Sequence, residues 1–301
     1  MPRPNFLFTC VAYFCMALLY VPSLAVVVFS FNNSRYGLSW RGFTFSWYEK
    51  LFSNELILEA TRNSLIVACI STVVATVLGT MLALGLHRVT FPKSLNWLFK
   101  LFINLPIVVP DIIMAVALTM AFGFFRTFSS VFDMGFFTLI LSHVTFQISF
   151  VTLVVRSRLA TMDDDIELAA SDLNATAYYR FRHLTLPLLA PSIIAGAMLA
   201  FTLSLDDFII SFFTHGPDSV TLPIFIYASL KRGITPEIHA LSTMMLTVTV
   251  LLVILAERLS RLVTKKSEAK VEKEREKLGL PPKAKEGRGA GDAGPGGVIT
   301  G

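Results

Sequence analysis

Long runs of apolar residues, separated by short polar segments, make up most of the chain up to residue 262. A helix needs about twenty apolar residues to cross the hydrocarbon core of a bilayer, where an unpaired backbone amide costs several kcal/mol. Six runs meet this requirement, at about 6–31, 64–86, 98–125, 136–155, 184–213 and 240–262. The pattern therefore predicts an all-α integral membrane domain of about six transmembrane helices over residues 1–262.

Residues 263–301 form a polar tail that differs from the spans. The segment KKSEAKVEKEREKLGL places Glu and Lys at helical spacing, so it can extend the last helix into water. The final GRGAGDAGPGG lacks the apolar residues of a core, and we expect it to be disordered. We assign the tail no function.

Composition and charge agree with a chain that is solvated mainly by lipid. Hydrophobic residues make up 54% of the chain and charged residues 16%, whereas soluble domains carry about 25% charged residues. The formal net charge of +5 does not indicate nucleic-acid binding, because Lys and Arg lie between the apolar runs and in the tail. The three cysteines lie within apolar runs, and their number and spacing predict neither disulfides nor a metal site.

The distribution of basic residues predicts the orientation in the membrane, because cytoplasmic loops carry an excess of Lys and Arg. Basic residues concentrate before the first run, between the second and third, and between the fourth and fifth: Arg3, Arg88, Lys93, Lys100, Arg156, Arg158, Arg180 and Arg182. We therefore expect both termini to be cytoplasmic.

The cytoplasmic loop at about 156–183 and the start of the fifth run carry the most specific pattern, DDDIELAASDLNATAYYRFRHLTLPLLAP. The pattern predicts a short helix over 165–173, a turn at Asn174, and a second short helix through His183, with Pro187 opening the next span. Asn accepts a left-handed conformation, so Asn174 can cap the first helix. The loop is therefore expected to be a helical hairpin.

This hairpin resembles the EAA loop of ABC-importer permeases, in which Glu-Ala-Ala is followed by Gly and later by Leu-Pro. The positions in register are Ala169, Ala170, Asp172, Leu173, Leu184, Leu186 and Pro187. Leu168 occupies the family glutamate position, with Glu167 one residue early, and Asn174 occupies the glycine position. The resemblance implies a type I ABC-importer permease whose coupling helix docks on a separate ATPase. An amphipathic helix on the membrane surface is the alternative.

The sequence contains no Gly-x4-Gly-Lys-Ser/Thr phosphate loop. ATP and Mg²⁺ are therefore expected on the partner ATPase, with no cofactor and no enzymatic activity on this chain. We predict that Ala170→Asp uncouples transport while leaving membrane insertion intact, because it buries a charge in the docking surface.

Three carboxylates lie within the apolar runs: Asp111, Asp206 and Asp207. Such residues cost about 2.5–3.5 kcal/mol on insertion scales and mark functional sites by default. Neighbouring positions on a helix diverge by about 100°, which places Asp206 with Thr202 and Asp207 with Ser204. We expect one of the adjacent acids to face the pathway and the other a neighbouring helix or subunit.

Two polar features within the apolar runs also have structural explanations. Asp111 follows Pro110, so it could instead cap a half-helix after a break at 106–110. His143 and Gln147, four residues apart, are explained most simply by hydrogen bonds between helices.

Two longer blocks resemble the second permease subunit of spermidine/putrescine importers: FNNSRYGLSWRGFTFSWY, and FTLSLDDFIISFFTHGPDSVTLPIFIYASLKRGITPEIHALST. The resemblance implies a linear polyamine substrate and a bacterial inner-membrane location. It also implies three partners: a homologous permease, an ATPase dimer and a periplasmic polyamine-binding protein. The binding protein would meet the loops at 32–63 and 214–240, where Asp218 and Glu237 are candidate contacts for the emerging cation.

Other functions remain open at this stage. The same machine could carry another solute, such as a metal, an anion or a small peptide. An independent secondary transporter would usually show an inverted repeat, which is not evident here. The sequence also lacks His-Glu-x-x-His and Gly-x-Ser-x-Gly, two motifs of membrane-embedded or hydrolytic enzymes.

Overall fold

The computed structural model describes residues 6–34, 39–89, 91–162, 165–172, 174–232 and 236–277, which are mostly helical. The α-helices are α1 (Phe6–Phe29), α2 (Ser46–Ser53), α3 (Glu55–Arg88), α4 (Lys93–Val108), α5 (Asp111–Phe125), α6 (Phe136–Leu159), α7 (Asp165–Asp172), α8 (Ala177–Arg180), α9 (Leu186–Asp206), α10 (Ile209–Thr214), α11 (Leu222–Arg232) and α12 (Pro236–Lys277). A 3₁₀ turn covers Ser130–Phe132, and a π-helical segment, Phe181–Thr185, joins α8 to α9.

Among the described residues, five helices are long and apolar enough to span a membrane, or six if α4 and α5 count as one bent span. The prediction of about six spans is confirmed in this form. The third predicted span is not one straight helix, however, because α4 and α5 meet at 115°. Pro106 lies inside α4 and Pro110 directly precedes α5, and neither residue can donate a helical backbone hydrogen bond.

The fifth predicted span is also interrupted. It was expected to continue to residue 213, but α9 ends at Asp206 and α10 begins at Ile209. No proline or glycine lies at this break. The Asp207 side chain instead accepts hydrogen bonds from the backbone N–H groups of Ile210 and Ser211, which stabilises a new helix start.

Close packing of α3 on α6 forms the centre of the membrane domain. A β-carbon at Gly79 would lie 2.8 Å from Val151 Cβ, so only glycine allows the two helices to approach this closely. Thr152 Oγ1, one residue further along α6, donates to the Gly79 carbonyl at 3.2 Å. The face of α3 that meets α6 therefore needs a residue without a side chain.

Two compact units divide the chain: Met1–Met162 with Ser192–Arg261, and Asp163–Pro191 with Leu262–Gly301. In the second unit, α7 ends in a turn at Asn174, whose φ of 57° is left-handed. The N–H of Asn174 donates to Ser171 O at 2.9 Å, and that of Ala175 donates to Ala170 O at 3.0 Å. These two bonds form a Schellman motif, which confirms the predicted C-cap at Asn174.

The interior of the hairpin corrects one expectation. Ala170 is 0% exposed and packs with Leu184 and Ala175, so it does not lie on an outer docking surface. A charge at position 170 would disrupt the hairpin itself. Leu168, by contrast, is 62% exposed.

The second arm of the hairpin is not a separate short helix, because α8 continues through the π segment into α9. Pro187 follows Leu186 in the first turn of α9, and its carbonyl accepts a hydrogen bond from the Ser267 hydroxyl of α12. The final helix extends to Lys277, as predicted for the start of the tail.

Candidate functional site

A cavity of about 430 Å³ lies beside the two helix breaks in the first unit. The size falls within the range of about 300–1,000 Å³ that is usual for small-molecule sites. The described lining residues are Pro106, Asp111, Met114, Phe146, Phe150, Leu203, Asp206, Asp207, Phe208, Ile209 and Ile210. All three charged side chains among them are carboxylates, and the rest of the lining is apolar. The cavity therefore favours a cation with an apolar body.

Asp206 and Asp207 both line this cavity, but their environments differ. Asp206 is exposed, and no other described side chain donates a hydrogen bond to its carboxylate. Asp207 Oδ2 accepts from both the backbone N and the Oγ of Ser211, each at 2.8 Å, while Oδ1 accepts from Ile210 N at 3.3 Å. The sequence predicted that one acid faces the pathway and the other a neighbouring helix. Both acids line the cavity, but only Asp207 is held by α10 and lies 3.5 Å from His143 Nε2 of α6.

Asp111 occupies the first position of α5, directly after the bend that follows α4. Its negative charge lies in the first turn of α5, where the helix dipole favours an anion, and it lines the cavity together with Asp206 and Asp207. The break at 106–110 thus brings an acid from α5 next to two acids that lie about one hundred positions later in the chain. The half-helix start expected after the break at 106–110 is present, and Asp111 lies both at this start and in the cavity lining.

His143 and Gln147 on α6 lie behind the cavity wall and are both 0% exposed. His143 Nδ1 lies 2.7 Å from Ser204 Oγ, and its Nε2 lies 2.9 Å from Ser211 Oγ and 3.5 Å from Asp207 Oδ2. Gln147 Nε2 donates to Ser71 Oγ at 3.2 Å and to the Ala200 carbonyl at 3.1 Å. The predicted hydrogen bonds between helices are confirmed, and they reach α3, α9 and α10.

Two further pathway candidates do not line the cavity. Thr202 Oγ1 donates to the Met198 carbonyl of its own helix at 2.9 Å. Ser204 is 5% exposed and contacts His143 rather than the cavity. Both residues lie in α9 within one turn of the acids, but their hydroxyls are engaged by the α9 backbone and by His143, which spacing alone does not show.

The hairpin candidates are placed only in part. Glu167, Ala169 and Asp172 lie in α7, whereas Leu173 lies outside the described residues. Of the candidates in the 214–240 loop, Asp218 is exposed and its carbonyl accepts from Asn63 Nδ2 at 3.4 Å, and Glu237 lies in the first turn of α12.

Sequence reasoning did not identify the apolar wall of the cavity. Phe146 and Phe150 lie four residues apart on α6, and Phe208 lies in the α9–α10 break. The helical spacing of Phe146 and Phe150 was visible in the sequence. Because the chain contains 26 phenylalanines, this spacing did not distinguish them from phenylalanines that face lipid.

Comparisons with known proteins agree with this architecture. Residues 75–268 match the family described as "Binding-protein-dependent transport system inner membrane component". The chain is 38% identical over 259 residues to the spermidine/putrescine transport system permease protein PotC of Haemophilus influenzae, covering 86% of this chain and 96% of that protein. It is 39% identical over 229 residues to the putrescine transport system permease protein PotI of Escherichia coli, covering 76% and 81%.

Among solved structures, the fold resembles a chain of a bacterial ABC transporter involved in the import of the acidic polysaccharide alginate. The TM-score is 0.69 at 18% identity, covering 86% of this chain and 94% of that one. This similarity shows that the fold is that of ABC-importer permeases. The chain therefore belongs to the family of inner membrane components of binding-protein-dependent transport systems.

Proposed function

We propose that this chain forms half of the translocation pathway of an ATP-driven importer that carries polyamines from the periplasm to the cytoplasm. The observation that carries the proposal is the cavity whose charged lining residues are Asp111, Asp206 and Asp207. The similar proteins PotC and PotI are named as permeases for spermidine/putrescine and for putrescine, which supports a polyamine as the substrate.

The lining of the cavity suits a linear polyamine, which alternates ammonium groups with methylene segments. Asp206 and Asp111 are exposed to the cavity and bind ammonium groups through charge-assisted hydrogen bonds. Phe146, Phe150 and Phe208 contact the methylene segments and present ring faces to the cation. Asp207 contributes negative charge, although its carboxylate is already held by Ser211.

The helical hairpin provides the coupling to ATP hydrolysis in this proposal. ATP and Mg²⁺ bind to a separate ATPase dimer, and exposed residues of the hairpin dock on it. Among the hairpin side chains that the structure describes, Leu168 and Tyr178 are large and exposed, at 62% and 72%, and are available for this contact. Ala170 and Leu184 form the interior that keeps the hairpin folded.

The remaining partners follow from the family. A homologous permease supplies the other half of the pathway, and both termini of this chain are cytoplasmic. A periplasmic polyamine-binding protein delivers its ligand to the loops at 32–63 and 214–240, where Asp218 is exposed. Closure of the ATPase opens the shared cavity to the periplasm, and hydrolysis returns it to the cytoplasmic side.

Uptake by the reconstituted complex tests the proposal. The chain, its partner permease, the ATPase and the binding protein would be placed in proteoliposomes with labelled putrescine or spermidine. We expect ATP-dependent accumulation of at least one polyamine, which excess unlabelled polyamine abolishes and an uncharged solute of similar length does not. Accumulation of a different solute class, with no polyamine uptake, would overturn the assignment.

A further inference from the structure

His143 has a position that the proposed cation pathway does not explain. The imidazole is completely buried and does not line the cavity, yet both ring nitrogens make hydrogen bonds. One partner, Ser204, belongs to the last turn of α9, and the other, Ser211, belongs to α10. His143 therefore connects the two helices on either side of the break that contains Asp207.

The hydrogen bonds around Asp207 fix the direction in which His143 donates. An ionised carboxylate can only accept, so the Ser211 hydroxyl gives its proton to Asp207 Oδ2. Ser211 Oγ must then accept from His143, which requires a proton on Nε2. The Nε2–H form of His143 is thus the tautomer that agrees with an ionised Asp207.

The other end of the network is compatible with the same tautomer. The Gln147 amide nitrogen can only donate, and it donates to Ser71 Oγ. Ser71 Oγ lies 3.4 Å from Ser204 Oγ, which lies 2.7 Å from His143 Nδ1. The Ser71 hydroxyl lies equally close to the Ala68 carbonyl and can donate to either acceptor. In the Nε2–H tautomer Nδ1 carries no proton, so it accepts from the Ser204 hydroxyl. When Ser71 donates to Ser204, a one-directional chain runs from the donor-only Gln147 amide to the acceptor-only carboxylate, with His143 between Ser204 and Ser211.

We propose that His143, as the Nε2–H tautomer, is a positioning residue that fixes the Asp207 carboxylate in the cavity wall by orienting Ser211. The arrangement keeps both oxygens of Asp207 engaged and leaves the exposed Asp206 carboxylate to bind the cation. This inference rests on the proposed function, since it assigns His143 a part in cation passage.

Three single variants test this role in the complete complex. His143→Leu removes both hydrogen bonds, His143→Gln keeps an amide N–H that can reach Ser211, and Thr145→Val is the control. Thr145 lies on the same helix, and within the described residues its hydroxyl donates only to the Leu141 carbonyl of that helix. We expect uptake per assembled complex to fall about tenfold in His143→Leu and to recover most of the way in His143→Gln. The control should transport at the unmodified rate.

Combination with Asp207→Asn distinguishes positioning from general packing. If His143 acts through Asp207, His143→Leu should cause little further loss in the Asp207→Asn background. An equal fold-loss of uptake in both backgrounds would show that the two residues act independently and would overturn the proposal. Normal uptake by His143→Leu would overturn it as well.

The tautomer can be read without any transport measurement. The complex would be labelled with [¹⁵N]histidine and its imidazole nitrogens observed by NMR. The His143 signals are assigned as those absent from the spectrum of His143→Gln, or of His143→Leu if that variant assembles. We expect a protonated Nε2 and an unprotonated Nδ1. A protonated Nδ1 with a bare Nε2 would overturn the inference. If the proposed function itself were wrong, the unmodified complex would take up no polyamine, whatever the tautomer of His143.

Discussion

Asp206 and Asp207 are adjacent in the sequence, yet the structure holds one carboxylate and leaves the other available. Asp207 accepts two hydrogen bonds from Ser211 and one from Ile210, whereas Asp206 is exposed in the cavity. The difference arises because α9 ends between them, so that Asp207 serves the start of α10. Asp206 is therefore suited to bind the cation, and Asp207 to stabilise the start of α10.

We therefore expect the two asparagine variants to fail in different ways. Asp206→Asn should reduce polyamine uptake per assembled complex about tenfold with little change in thermal stability, because it removes only a contact to the cation. Asp207→Asn should also lower the unfolding temperature, since hydrogen bonds to a charged acceptor contribute about 1.5–3 kcal/mol. Uptake assays and thermal unfolding of the purified complex measure both effects. Equal destabilisation by the two variants would contradict this division of roles.

The contact of α3 with α6 gives a second expectation. Gly79→Ala places a β-carbon 2.8 Å from Val151 Cβ and 3.0 Å from the Ile148 carbonyl, so the helices must move apart. Overpacking of this kind costs about 1–3 kcal/mol. Gly85→Ala on the same helix is the matched control, because its β-carbon would meet nothing within 4 Å. The unfolding temperature should fall for Gly79→Ala and stay unchanged for Gly85→Ala. Equal unfolding temperatures for the two variants would argue against the close contact of α3 with α6.

The left-handed turn of the hairpin gives a third expectation. Asn174→Gly should preserve ATPase binding and uptake, because glycine adopts a φ of 57° without steric cost. Asn174→Val should destabilise the hairpin by about 1–2 kcal/mol, since a β-branched residue is strained in this conformation. The amount of ATPase that copurifies with the permease measures the outcome. If the valine variant retained as much ATPase as the glycine variant, the turn would not be needed for docking.

The outer and inner faces of the hairpin should respond differently to a new charge. Leu168→Asp is expected to weaken ATPase binding about tenfold, equivalent to about 1.4 kcal/mol, while the permease remains folded. Leu168→Met is its control. Ala170→Asp should instead lower the yield and the unfolding temperature, because position 170 is buried against Leu184. Normal ATPase binding by Leu168→Asp would exclude this side chain from the docking surface.

Much of the architecture could be predicted because local physical requirements impose it. Apolar runs of sufficient length must become helices in a bilayer, so six spans could be read directly from the sequence. Asn174 was recognisable as a helix C-cap because few other residues accept a positive φ. The acids at 111, 206 and 207 were identified for the same reason, since charge within an apolar run is costly.

The sequence alone thus determined the class of protein, the hairpin and the identity of the cavity carboxylates. Only the tertiary structure decided that α9 stops at Asp206, that the bend after α4 brings Asp111 to the same cavity, and that His143 connects the two sides of the α9–α10 break. Helical periodicity describes an uninterrupted helix and cannot show where a side chain replaces a backbone hydrogen bond. The bend and the break themselves arise from residues close in the chain. The shared cavity and the contacts of His143 with Ser204 and Ser211 join residues far apart in the chain, so they exist only once the helices have packed together.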